Sequence, residues 1–213
     1  KTTNVNNILH KHTIIHIGSL QYGQNKDILV KFENMDYCIS NTLPYCKVDL
    51  VYQSNGNIIE YNDIKINCFN NTNVRNFNYQ ISRLNMITAI NSSINYALIN
   101  NQDKANIEIK SVIDFIKSLQ HNSNYNIVDN SSDSDNQYYK SQITEILKDL
   151  EGQVTIAFSR KDHFIRWGVH YLRSLIRAHL MQICNNFKDP GVQGYGGKLF
   201  NYIQDFSDDI FNQ

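Results

Sequence analysis

The sequence predicts an α+β fold, with a small N-terminal antiparallel β-sheet, sandwich-like, followed by a C-terminal helical region. Three observations carry this. From about Asn6 to Phe69, β-branched and aromatic residues recur with a period near two. From Asn76 onward the apolar period becomes helical. Only 2 prolines and 9 glycines interrupt the 213 residues, so the chain is not a linker protein. A chain of this length buries roughly 70% of its unfolded surface and needs no disulfide or metal to fold.

The predicted elements follow in order. Thr13-Ile14-Ile15-His16-Ile17 runs into Gly18, and Ile28-Leu29-Val30-Lys31-Phe32 follows the polar turn Gly23-Gln24-Asn25. Val48-Asp49-Leu50-Val51-Tyr52 and Asn57-Ile58-Ile59-Glu60-Tyr61 flank Asn55-Gly56, a dipeptide that accepts positive φ at both centres of a type I′ hairpin turn. Ile64-Lys65-Ile66-Asn67-Cys68-Phe69 closes the series. About five short strands make a half-sandwich, whose apolar face or edge something must cover.

Ile81, Leu84, Ile87, Ile90, Ile94 and Leu98 then line one face of a long helix. Ile109, Val112, Ile113, Ile116 and Leu119 line a second, with its N-cap near Asp103. A loop as short as Asn100–Gln102 makes the two an antiparallel hairpin. Residues 121–136 are almost all Asn, Ser and Asp and are expected to form a flexible loop. Helix resumes with Tyr139, Ile143, Ile146, Leu147 and Leu150, ends at Gly152, and gives way to an extended piece at Val154–Phe158. Phe164, Trp167, Tyr171, Leu172, Leu175, Ile176 and Ile183 mark a third strong helix. After the turns around Asp189-Pro190-Gly191 and Gly194–Gly197, Leu199, Ile203, Phe206 and Ile210 give a terminal amphipathic helix. The expected regions are thus 1–75 (sheet), 76–120 (helical hairpin), 121–136 (loop) and 137–213 (helical).

Charge excludes some functions. With 20 Lys+Arg against 20 Asp+Glu the formal net charge is zero, so no long-range field steers a polyanion and nucleic acid is disfavoured as a partner. No segment approaches the 18 apolar residues of a membrane span, and Lys1–Leu20 has no signal-peptide pattern, so a cytoplasmic location is the default expectation. A start at Lys1 rather than Met suggests a piece of a longer protein. The 4 cysteines, Cys38, Cys46, Cys68 and Cys184, form no CxxC pair and are expected to be buried thiols rather than a Cys38–Cys46 disulfide.

Each candidate chemistry has a blander competitor. Asp129-Asn130-Ser131-Ser132-Asp133 resembles an adhesion-type metal motif, but Asp133 stands where a second serine is needed. As a calcium loop it lacks the glycine and the terminal bidentate Glu. His10, His12 and His16 would share one face of a strand, yet no Cys or carboxylate joins them at local spacing. His163 and His170 lie two helical turns apart, about 10.5 Å, too far for one ion. Cys184 near Lys188 is more simply a structural thiol than a nucleophile. Gly194-Tyr195-Gly196-Gly197-Lys198 is followed by Leu199 and preceded by no strand, so it is a tight turn before it is a phosphate loop. Arg160, Lys161, Arg166, Arg173 and Arg177 read as the basic solvent face of a helix whose aromatics follow the core period. No metal and no cofactor are expected.

The same stretch carries a resemblance. Trp167-Gly168-Val169-His170-Tyr171-Leu172-Arg173-Ser174-Leu175, Arg177-Ala178-His179, Cys184-Asn185-Asn186-Phe187-Lys188-Asp189-Pro190-Gly191-Val192-Gln193 and Tyr195-Gly196-Gly197 are similar to the Vwaint domain over residues 150–211. That family lies beside von Willebrand factor A (VWA) domains and often before a Hint module. Ile17-Gly18-Ser19-Leu20-Gln21-Tyr22-Gly23-Gln24 resembles the sheet region that follows VWA domains. The resemblance implies a non-catalytic interaction or scaffolding domain with a protein partner, including an adjacent VWA domain. Its motif-bearing positions are Trp167, His170, Tyr171, Arg173, Arg177, His179, Asn185, Asn186 and Asp189, as structural or interface residues. The competing expectation is an enzyme, or an accessory, of covalent protein modification with Cys184, His170 or His179 reactive. RNA binding through Arg166, Arg173 and Arg177 is a weaker third.

Overall fold

The computed structural model describes residues 2–5, 8–11, 13–20, 24–30, 46–66, 74–122, 133–186 and 188–211. The fold is α+β. Strands β1 (Thr2–Val5) and β2 (Ile8–Lys11) pair antiparallel, with Thr3 opposite His10. Strands β3 (Cys46–Ser54) and β4 (Asn57–Ile66) form a second antiparallel pair. Their turn has Asn55 at φ 49° and Gly56 at φ 82°, the two positive values that a type I′ turn requires. Leu50 faces Tyr61 and Tyr52 faces Ile59, so the tyrosine rings of 52 and 61 stack at 6.3 Å on one face. An irregularity between Val48 and Leu50 lets β4 run on to Ile66, where the periodicity suggested two strands.

The predicted sandwich is not what the described residues form: they make two separate two-stranded sheets. Thr13–Ile17 and Ile28–Val30 are irregular, and Ile14 is 82% exposed. Alternation supplies a strand's two faces but not the neighbour that takes its N–H and C=O groups. With His16 off any strand, the single-face histidine reading fails as well. Lys31, Phe32, Gly23, His12, Cys38, Cys68 and residues 123–132, including Asp129–Ser132, lie outside the described residues.

The helical expectations fare better. Helix α1 (Val74–Leu98) and α2 (Gln102–Asn122) pack as the predicted hairpin. Asn100 closes α1 in the left-handed conformation at φ 59°. The Asn101 N–H reaches the Tyr96 carbonyl at 2.9 Å and the Asn100 N–H the Ala97 carbonyl at 3.0 Å, a Schellman closure. The N-cap of α2 is Asn101, whose Oδ1 accepts the Lys104 N–H at 3.2 Å, while Asp103 sits inside the first turn. Met86, Ile90, Ile94 and Ala97 meet Ala105, Ile109, Val112 and Ile116 in the core.

Helix α3 (Asp133–Asp149) begins four residues inside the predicted loop. It does not stop at Gly152. A π-helical turn, Leu150–Val154, kinks there (Gly152 φ −90°, ψ −109°) and leads into α4 (Thr155–Ser159). Val154–Phe158 is therefore helical. Leu150, Val154, Ala157 and Phe158 are buried at i, i+4, i+7 and i+8, a helical spacing that the β-branched composition disguised. Arg160 is extended. Then α5 (Lys161–His163), a second π-helical turn (Phe164–Gly168) and α6 (Val169–Met181) follow as the third predicted helix, ended by left-handed Gln182. Helix α7 (Pro190–Gln193) is one turn, and α8 (Lys198–Phe211) closes the chain. No helix among the described residues is long and apolar enough to cross a membrane.

Candidate functional site

The helical core is crossed by a band of buried polar side chains, built by α6 and the segment that follows it. Leu172, Leu175, Ala178 and His179 are the residues α6 buries, so the apolar period carries one imidazole inward. His179 is fully buried. Its Nδ1 lies 2.8 Å from the Tyr195 hydroxyl, with the two rings edge-to-face at 5.5 Å. Tyr79 on α1 lies close enough to Tyr195 to perturb its phenol. Burial, helped by the Arg83 guanidinium, holds His179 down at about 3, so the ring is neutral. Its Nε2 has no hydrogen-bond partner. Burial pushes Tyr79 up to about 12 and Tyr195 well above the usual phenol range.

Arg83 is itself buried on α1. Its Nη1 donates to the His179 carbonyl at 2.7 Å and its Nε to Gln80 Oε1 at 2.8 Å. Gln80 Nε2 passes the link to Asp27 Oδ2 at 2.9 Å. Gln182 completes the arch: its Oε1 accepts the Asp27 N–H at 2.9 Å and its Nε2 donates to the Asp27 carbonyl at 2.8 Å. One glutamine amide thus does for the irregular segment 24–30 what a neighbouring strand would have done.

A second cluster sits where the chain turns after α6. Asp189 stands at the N-terminal boundary of α7 and is buried. Its carboxylate accepts the Tyr171 hydroxyl at 3.2 Å and Asn186 Nδ2 at 2.7 Å, while its N–H donates to Asn186 Oδ1 at 2.8 Å. Gln193 Nε2 donates to the carbonyls of Asn186 and Asp189, both at 2.9 Å. From α3, buried Asp149 accepts the Gly191 N–H at 2.9 Å. Burial first, and then the charge of Asp189, raise Asp149 to about 7, against the pull of the Gly191 N–H. Gly191 must be glycine: a Cβ there would stand 2.5 Å from Asp149 Oδ2 and 3.4 Å from His179 Cε1. The same residues push Tyr171 far above its ordinary value, through burial and the nearby carboxylates.

The motif-bearing residues therefore divide. Tyr171, His179, Asn186 and Asp189 point inward and latch α6 to α1 and α7, and the Asp149–Gly191 bond ties α7 in turn to α3. Asn185 ties back to Ser174 through Nδ2, at 2.9 Å to its hydroxyl. Trp167 is half-buried, against the rings of Tyr171 at 5.8 Å and His163 at 6.3 Å. His170, Arg173 and Arg177 are exposed on the opposite side of α6. Cys184 is half-buried, and its thiol donates to the Asn186 carbonyl at 3.2 Å. Burial raises its pKa, so it is not an activated thiolate. In the Gly194–Gly197 turn, the Tyr195 and Gly196 N–H groups already bond the Val192 and Gln193 carbonyls, which takes them away from any anion. Among the described residues, no group of three His, Cys, Asp or Glu side chains could hold a metal.

Sequence reasoning missed Arg83, Gln80, Gln182 and Asp149. A signal for one was present, because Arg83 falls one helical turn from Tyr79, Met86 and Ile87, on the stripe those apolar residues share. Asp149 gave none, since an acidic residue at the end of a helix reads as solvated.

A family model described as VWA / Hh protein intein-like matches residues 140–209. Neither the curated proteins nor the solved structures compared with the chain gave a match. The matched span holds both halves of the Asp149–Gly191 contact, together with Tyr171, His179 and Asp189. Tyr79, Gln80, Arg83 and Asp27 lie upstream, so the buried band joins that span to the rest of the fold. Over residues 140–209, about a third of its length, the chain is therefore similar to the Vwaint family.

Proposed function

We propose that the chain is a non-catalytic protein-interaction unit that accompanies a VWA domain in a larger protein, and that its partner docks on the β3–β4 sheet. One observation carries this: Val48, Leu50, Tyr52, Tyr61 and Ile64 lie on one face of the hairpin and are all exposed. A lone two-stranded sheet is marginal in water and an apolar face of this size needs a cover. The match of residues 140–209 to a family described as VWA / Hh protein intein-like supports a VWA neighbour as its source. The inward latch around His179 and Asp189 supports a scaffold, because most of its polar atoms, His179 Nε2 excepted, are spent on holding helices together. A reactive Cys184 would need a thiolate, and its surroundings favour the thiol.

The test is to add the VWA segment of the parent protein to this chain and follow amide deuterium exchange. The proposal expects a stoichiometric complex with new protection in β3 and β4. Binding without protection of those strands, or no binding, refutes it.

A further inference from the structure

Helix α8 is the most amphipathic element of the fold, yet its apolar stripe is bare. Leu199, Tyr202, Ile203, Phe206 and Ile210 are all exposed, Tyr202 by 69%. A helix of 14 residues is marginal by itself in water, so this one needs a surface to lie on. Flanking the stripe beside Tyr202 are Asp205 and Asp209, exposed and one turn apart, about 6 Å along the axis. The chain also displays the complement. Arg173 and Arg177, again i and i+4, stand exposed on α6 beside His170, with Leu180 and Met181 exposed at the end of the same face. Among the described residues no carboxylate pairs with either arginine, and no cation pairs with Asp205 or Asp209.

We propose that α8 of one copy docks along the basic face of α6 in a second copy, reciprocally, giving a two-fold dimer by arm exchange. The match is chemical as well as spatial. Each i,i+4 aspartate pair meets an i,i+4 arginine pair at the same spacing. Tyr202 and Phe206 offer ring faces to the guanidinium groups, and the arginine stems and Leu180 and Met181 cover the aliphatic part of the stripe. Such a contact would pair the exposed charges of both helices at once. Reciprocity closes the assembly at two copies rather than a filament. This goes beyond the VWA-docking reading and uses a different surface, so either can fail alone.

The test uses the full chain in sedimentation velocity at low salt, up to about 100 µM, where a dimer of ordinary affinity is populated. The parent is expected to dimerise, and to dissociate as salt rises. The double variants R173E/R177E and D205R/D209R change only exposed residues; each alone is expected to weaken the dimer by at least about tenfold. Mixed one to one, they present matched charges at both contacts, and the dimer is expected to return. A parent that stays monomeric at low salt overturns the proposal, whether α8 is free or folded back on its own chain. So does a dimer indifferent to the reversals, or one that mixing does not restore.

Discussion

The buried carboxyl of Asp149 and the buried imidazole of His179 should pull the stability of this protein in opposite directions with pH, and replacing one should expose the other. Asp149 is held at about 7 in the fold against 3.8 in the unfolded chain, chiefly by burial. Its contribution is whole below about pH 4 and is lost as pH rises toward and through 7, because the fold keeps a proton the unfolded chain has released. His179 is held at about 3 against 6.5. Its contribution is whole above about pH 6.5 and is lost as pH falls toward and through 3. Each involves one proton, so between about pH 4 and 6.5 the two slopes oppose and nearly cancel. The substitution D149N keeps an oxygen that can accept the Gly191 N–H and removes the acid. Relative to the parent, the variant should gain nothing near pH 4 and up to ~4 kcal/mol above pH 7, the upper bound set by the full displacement of a single carboxyl. Urea unfolding of both proteins across this range measures the difference directly. If the gap between them is the same at about pH 4 as at about pH 8, burial does not hold that proton and the reasoning fails.

Further outcomes follow from the same geometry. G191A should destabilise by ~1–3 kcal/mol in chemical denaturation, because its new methyl meets a fixed carboxylate, whereas G194A should cost less, since the atom in its way is the movable Gln142 amide. R83M leaves the His179 carbonyl and Gln80 without their donor and should cost ~2–4 kcal/mol by the same measurement. N100G should stabilise by ~0.5–1 kcal/mol in thermal melts, because the residue closing α1 is left-handed and glycine adopts that conformation without strain. Native Cys184, followed by peptide mass mapping, should be alkylated many times more slowly than in the denatured chain; equal rates would mean an open, activated thiol.

By itself the sequence determined the elements whose chemistry is local. The Asn55-Gly56 turn needed only two residues that accept positive φ, and the α1–α2 hairpin only two apolar stripes and a short loop. The Vwaint stretch could be read because its aromatic, histidine and proline-glycine pattern is unusual as a string. Tertiary structure decided whatever depended on a partner distant in the chain. Thr13–Ile17 and Ile28–Val30 have strand composition but pair with no strand among the described residues, and segment 24–30 is held by Gln182, about 155 positions away. Val154–Phe158 became helix because its burial spacing outweighed its β-branched side chains. Asp149 looks like a surface charge in the string, and Arg83 and His179 show only a helical spacing with apolar residues. They are interior because α1, α3 and α6 converge there, and a polar group kept from water survives only where another element brings it a hydrogen bond.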